Sequence, residues 1–228
     1  ITELKTGAGS QVLQVGSIAG ITAMGGDGDD ILVAASGNQT LIGGDGNDTY
    51  RISGSFGVDT ITETATGGSG DTLDFSRGTA IPLTINIHSS SNVTNPAGVS
   101  VVGTSAPTNH IDNAKYIEKI LGGNQTNLYF FHDDWGYIPS TAAASSTLFT
   151  VDDTAAGLTN GTLNFSAVTH NLTFTLNKDG AVEVTTTVTK LGKQYTYKIV
   201  ATGIASIIGG KGVNTYKINS NTALKGNI

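Results

Sequence analysis

The chain has no cysteine, which excludes a disulfide framework and any thiolate metal site and leaves packing or bound ions to supply stability. It has no run of 18 apolar residues, so no segment reads as membrane-spanning. Catalytic signatures are missing as well: GxSxG, HExxH, GxxxxGK[ST] and the dinucleotide fingerprint do not occur, and this predicts that the chain is not an enzyme. His88, His110, His132 and His170 have no mutual spacing that suggests a site. The opening ITELKTGAGS lacks an initiator Met, a charged n-region and an apolar h-region. It does not read as a secretory signal peptide, and the chain is expected to be an excised segment.

What the chain does have is glycine, 31 of 228 residues, with charged residues at only 13%. That composition points to a turn-rich β solenoid and away from a helical protein, where Ala, Leu, Glu and Lys dominate. At 23.3 kDa the length allows one large β domain or two small ones. The net charge of −6 is unevenly spread: residues 171–228 carry seven Lys against Asp179 and Glu183, or +5, leaving −11 on residues 1–170. The lysines are dispersed among Thr-rich strands and not interleaved with aromatics, which argues against nucleic-acid binding. Solvated strand faces account for such polarity, and head-to-tail attraction between copies is the sharper reading.

Residues 25–51 organise the rest. They parse without gaps into three blocks of nine, GGDGDDILV, AASGNQTLI and GGDGNDTYR, of which the first and third fit GGxGxDxUx, with U a large apolar residue. In each block six residues turn and three form a brief strand, so Leu32, Leu41 and Tyr50 should point inward. Two blocks make one coil of a parallel roll, and blocks eighteen residues apart then stack on one edge. That brings Asp30 over Asp48 with backbone carbonyls around them, a donor set of hard oxygens suited to Ca2+. The expected metal-site residues are Gly25, Asp27, Gly28, Asp30, Gly43, Asp45, Gly46 and Asp48. Glycine is needed because the turn takes angles that a Cβ obstructs. The stretch holds five Asp and one Arg. Ordering it costs roughly 1–2 kcal/mol per residue, so metal binding should be coupled to its folding.

On the opposite edge Gln39 replaces the Asp, which predicts a turn that stacks but binds calcium poorly. Asp59, or the GGSGD at 67–71, offers a second site. Upstream, residues 11–24 read as feeder strands. Downstream, DTITE, DTLDFS and IPLTINIH are β pieces, the last alternating Ile81, Leu83, Ile85 and Ile87 with polar residues, His88 among them on the wet face. The stretch 89–109 reads as loops flanking a strand around GVSVV.

An internal repeat follows. SIAGITAMGGDGDDILV, IEKILGGNQTNLYFF and GIASIIGGKGVNTYKI each place a glycine pair after an apolar strand, and DTLDFS returns as GTLNFS. Asn127 and Asn214 take the Asp position in the later copies, so calcium is not expected there. IDNAKYIEKIL reads as a strand, with a short helix capped by Asp112 as the alternative. HDDWGYIPS reads as an exposed loop anchored by Trp135, or else as a metal site at His132, Asp133 and Asp134 or a sugar-binding lip with Tyr137. Asp152 and Asp153 should point to opposite faces as surface acids. LTFTLNKDGAVEVTTTV reads as a hairpin turning at Asp179 and Gly180, followed by a second hairpin through Leu191 to Gln194. The fold expected is therefore all-β: a short parallel β-roll carrying calcium turns in residues 1–80, and degenerate repeat units with antiparallel, sandwich-like insertions in 81–228.

Blocks 25–33 and 43–51 resemble the RTX repeats of hemolysin-type calcium-binding proteins, and GGDGNDTY followed by DTITE and DTLDFS is similar to the roll ends of very large bacterial surface proteins. The resemblance implies type I secretion and folding on calcium outside the cell, at the bacterial surface. It implies a structural module of an adhesin, S-layer, matrix or self-assembling fibre. A secretion tail of an exported enzyme or toxin, or a carbohydrate-binding module meeting cell-surface glycans, are the alternatives. No membrane insertion is expected.

Overall fold

A computed structural model describes residues 3–63, 67–79, 81–88, 98–104, 106–133, 135, 147–190 and 192–219. The strands along the chain are β1 (Glu3–Lys5), β2 (Val12–Gly16), β3 (Thr22–Asp27), β4 (Ile31–Ala34), β5 (Thr40–Asp45), β6 (Thr49–Ile52), β7 (Val58–Thr62), β8 (Thr72–Asp74), β9 (Leu83–Ile87) and β10 (Val99–Gly103). They continue with β11 (Ala106–Ala114), β12 (Lys119–Leu121), β13 (Leu128–Phe131), β14 (Thr147–Asp152), β15 (Gly161–Asn164), β16 (Leu172–Leu176), β17 (Val182–Lys190), β18 (Lys193–Thr202), β19 (Ile204–Ile208) and β20 (Asn214–Ile218). The fold is all-β, as the composition predicts.

Strands are dealt alternately to two ten-stranded sheets. The first runs β1-β3-β5-β7-β11-β10-β9-β13-β15-β19 and the second β2-β4-β6-β8-β12-β14-β18-β17-β16-β20. Up to β8 every pairing is parallel, and one coil carries the chain from the first sheet to the second and back. The eighteen-residue stacking is observed: Thr22 faces Thr40 and Ile31 faces Thr49. Glycine-rich turns make this winding possible, because strands of three to six residues need tight reversals at both edges.

Past residue 80 the winding is interrupted twice in the same way. From β8 the chain enters the first sheet at β9, zigzags back through β10 and β11 to reach β7, and resumes in the second sheet at β12. In the second sheet β16, β17 and β18 make the same reversal before the chain resumes at β19. The antiparallel insertions thus lie within the two sheets. Hydrogen bonding runs across residue 80, since β11 pairs with β7 and β12 with β8. One apolar cluster extends from Leu13 to Ile207.

Local expectations are met where periodicity is clear. Leu83, Ile85 and Ile87 are buried on alternate positions of β9. Residues 111–114 and 119–121 of the ambiguous IDNAKYIEKIL region lie on strands β11 and β12, with no helix. The hairpin turns between β16 and β17 at Gly180 and between β17 and β18 stand where expected. Asp134 and Tyr137 lie outside the described residues.

Candidate metal centre

Along each nonapeptide strand, alternate residues face the core, and this places the U residues Leu32, Leu41 and Tyr50 fully inside. The same alternation separates the acids. Asp30 and Asp48 are buried, whereas Asp27 and Asp45, facing each other in register, are exposed. The carboxylates of Asp27 and Asp45 are therefore held outside the turn, and their carbonyls accept the N–H groups of Gly9 and Gly28 from neighbouring coils at 2.6 Å. Gly46 turns at φ 124°, and a Cβ there would meet the Gly28 carbonyl at 2.5 Å. A Cβ on Gly25 would collide with Asp30 Oδ2 and the Gly43 carbonyl, and one on Gly43 with Asp48 Oδ2, Glu63 Oε1 and the Tyr50 hydroxyl. Gly28 takes the same left-handed angle as Gly46, at φ 112°. The glycines clear the space into which the carboxylates point.

A ladder of main-chain to side-chain bonds climbs this edge. Asp30 Oδ1 accepts the Gln11 N–H at 2.8 Å, Asp48 Oδ1 accepts that of Asp30 at 2.7 Å, and Asp71 Oδ1 accepts that of Asp48 at 2.8 Å. Glu118 Oε2 then accepts the Asp71 N–H at 3.0 Å. One oxygen of each aspartate is thus committed to the coil before it. The other, Oδ2 of Asp30, Asp48 and Asp71, is buried without a hydrogen-bond partner. A buried carboxylate oxygen lacking a donor is costly unless a proton or a cation meets it.

The carboxylates come closest at Asp48, Glu63 and Asp71, all buried, whose oxygens lie within 4.8 Å of one another. The Tyr50 hydroxyl donates to Glu63 Oε1. Burial, with the charge of neighbouring acids, raises the affinity of these groups for protons: Asp48 is held above its ordinary value and Asp71 is pushed up to about 6, in both cases first by desolvation. Glu118 rises to about 7 for the same leading reason. This cluster of buried acidic residues could hold a metal ion.

On the opposite edge an amide takes the carboxylate's place in the turn at Gln39. Gln39 Nε2 donates to the carbonyls of Gly16, Ile18 and Ser36 at 3.3, 3.2 and 3.2 Å. The Gln39 N–H donates to Asp59 Oδ1 at 2.9 Å, so Asp59 does stack on the turn that lost its acid. In the later turns Asn127 Nδ2 donates to the Gly123 carbonyl at 3.1 Å and to Asp153 Oδ1 at 2.6 Å, and Asn214 Nδ2 to the carbonyls of Gly210 and Gly212 at 2.8 and 3.2 Å. In each, an amide nitrogen supplies the positive end, meeting turn carbonyls at Gln39 and Asn214 and one carbonyl with the Asp153 carboxylate at Asn127. The amide thus takes the place of one carboxylate in the turn.

The repeat extends further than its glycine pairs. Gly122 stands where Gly43 does, Asn127 where Asp48 does, and Tyr129 where Tyr50 does. The Tyr129 hydroxyl donates to Asp153 at 2.7 Å, as that of Tyr50 does to Glu63. Gly161, opening GTLNFS, stands where Asp71 opens DTLDFS. Three carboxylates in the first copy become one in the second.

Sequence reasoning stopped at Asp30 and Asp48 and left Asp71 as an alternative, because Asp71 follows Asp48 by 23 residues and breaks the period of eighteen. Glu63 was missed. Its signal is the alternation Asp59, Ile61, Glu63, which puts all three inside. Asp153, expected at the surface, is buried and rises to about 6 through desolvation; Asp152 does face the other way. Trp135 is 1% exposed and packs against Phe131, Phe165 and Tyr197, so it anchors its segment as expected, and its indole does not line the alternative sugar-binding lip. Asp133 accepts from Thr169, and the His132 ring stacks on His88 at 3.6 Å. No family model, curated protein or solved structure matches the chain.

Proposed function

We propose that the chain is a calcium-binding structural module of a large secreted bacterial surface protein, an adhesin, layer or fibre component that folds on calcium outside the cell. The observation that carries this reading is the set of buried, donor-less Oδ2 atoms on Asp30, Asp48 and Asp71, with Glu63 beside them. All are hard oxygens, and Asp30 Oδ2 and the Gly43 carbonyl both border the space beside Gly25 that a Cβ would fill. The set suits Ca2+, which takes six to eight oxygens at about 2.3–2.6 Å in flexible geometry. Soft or imidazole-preferring metals lack their ligands here, since the cluster contains neither Cys nor His.

Asp48, Glu63 and Asp71 would hold the principal ion, and Asp30 with Asp48 a second. Bound calcium supplies the positive charge that the clustered carboxylates require. Tyr50 orients Glu63, and the N–H ladder fixes each aspartate. The reading as a secreted, structural module draws on the nonapeptide resemblance and on the absence of catalytic signatures from the sequence. A carbohydrate-binding role loses its aromatic platform with Trp135 in the core. Terbium, a calcium mimic, should luminesce when excited through Tyr50, and calcium should quench the signal by displacement. A chain that gives no sensitised emission, or emission indifferent to calcium, would refute the reading.

A further inference from the structure

The stack is open at both ends in complementary ways, and we infer that the end formed by β19 and β20 seats on the β1 and β2 end of a second copy, head to tail. In β6, Tyr50 and Ile52 follow Asp48 at alternate positions and are fully buried. In β20, Tyr216 and Ile218 follow Asn214 at the same positions yet are 37% and 64% exposed. Phe174 covers one face of the Tyr216 ring, stacked at 4.9 Å. These are core positions whose next layer is absent among the described residues. At the other end Leu4 faces buried Ala23 in register, so it too occupies a core position, and it is 37% exposed.

The backbone edges agree. β1 and β2 pair on one side only, with β3 and β4, and β19 and β20 on one side only, with β15 and β16. All four pairings are parallel. Seating β1 on β19 and β2 on β20 therefore continues both sheets in their existing direction and covers Tyr216 and Ile218 as coils elsewhere are covered.

Charge selects the second copy as the occupant. Residues 204–219 carry Lys211 and Lys217 and no acid, +2, whereas residues 3–30 carry Lys5 against the exposed Glu3, Asp27 and Asp29, −2, with Asp30 buried. Lys211 and the acidic turn lie on the same edge, between a strand of the first sheet and one of the second. With layers about 4.8 Å apart, the turn at Asp27 falls within a Debye length of Lys211 in such a stack. Two like ends repel. The contact is heterologous and does not close, so it propagates into linear chains. It goes beyond calcium binding and does not require that reading.

Sedimentation at increasing protein concentration in saturating calcium tests it. The wild-type mass should rise with concentration, and Leu4→Lys and Ile218→Lys, both at exposed positions, should each remain monomeric. Mixed in equal amounts, the two variants should form a dimer and nothing larger, because each retains the end that the other has lost. Lys211→Glu, which leaves the apolar end intact, should weaken the wild-type association and remove its loss at high salt. A wild type that stays monomeric at every concentration, or a variant mixture that gives no dimer, would overturn the proposal.

Discussion

Asp48 gives its main-chain N–H to Asp71 Oδ1 at 2.8 Å while their remaining Oδ2 atoms stay buried and unpartnered. One bond per layer aligns the acids and leaves a column of oxygens facing inward. The arrangement makes the edge dependent on positive charge, and at Gln39, Asn127 and Asn214 an amide nitrogen stands in place of one such carboxylate.

The division of labour between the two kinds of turn should appear on chelation. With EGTA, hydrogen exchange at neutral pH should accelerate across residues 22–74, where the carboxylate ladder lies. Residues 119–131 and 161–218, clipped by Asn127 and Asn214, should stay protected. Uniform exchange along the chain, or none that responds to EGTA, would go against the assignment.

Tyr50 and Tyr129 form parallel tests. Tyr50→Phe removes a donor to Glu63, and Tyr129→Phe a donor to Asp153. Leaving a buried group short of a partner costs about 1–3 kcal/mol. Urea unfolding should show that calcium reduces the Tyr50→Phe deficit, since the ion compensates Glu63, and leaves the Tyr129→Phe deficit unchanged.

Asp59 predicts a pH dependence of its own. Desolvation raises it to about 7 from 3.8, against the opposing bond from the Gln39 N–H. Between those values the native state holds the proton that the unfolded chain has released, so stability falls as pH rises from about 4 through about 7 and levels off above. Within that window each step of one in pH removes about 1.4 kcal/mol. Asp59→Asn keeps the Gln39 bond and should gain stability relative to wild type on going from pH 5 to pH 8 in saturating calcium. An unchanged difference between variant and wild type would show that Asp59 does not titrate in this window.

The nonapeptide register made the first coils legible, because glycine spacing, the acid and the U residue recur together: the stacking of Asp30 on Asp48 and the burial of Leu32, Leu41 and Tyr50 follow from it. The antiparallel hairpin at Gly180 was legible from its turn chemistry. Strand order was not, since the jumps from β8 to β9 and from β15 to β16 depend on long-range pairing that local pattern does not encode. Nor was the depth of the repeat, whose Glu63 and Asp153 sit at different distances from their tyrosines, 13 and 24 residues. A fixed period finds residues in consecutive coils and loses those separated by an insertion.

Calcium titration calorimetry of wild type beside Asp71→Asn tests the central claim most directly. The wild type should bind calcium, and Asp71→Asn, which keeps the oxygen that accepts the Asp48 N–H but removes the charge, should lose at least about 100-fold in affinity, beyond the 10–100-fold typical of residues that only support a ligand. A wild type that takes up no calcium, or a variant that binds it equally well, would contradict the account.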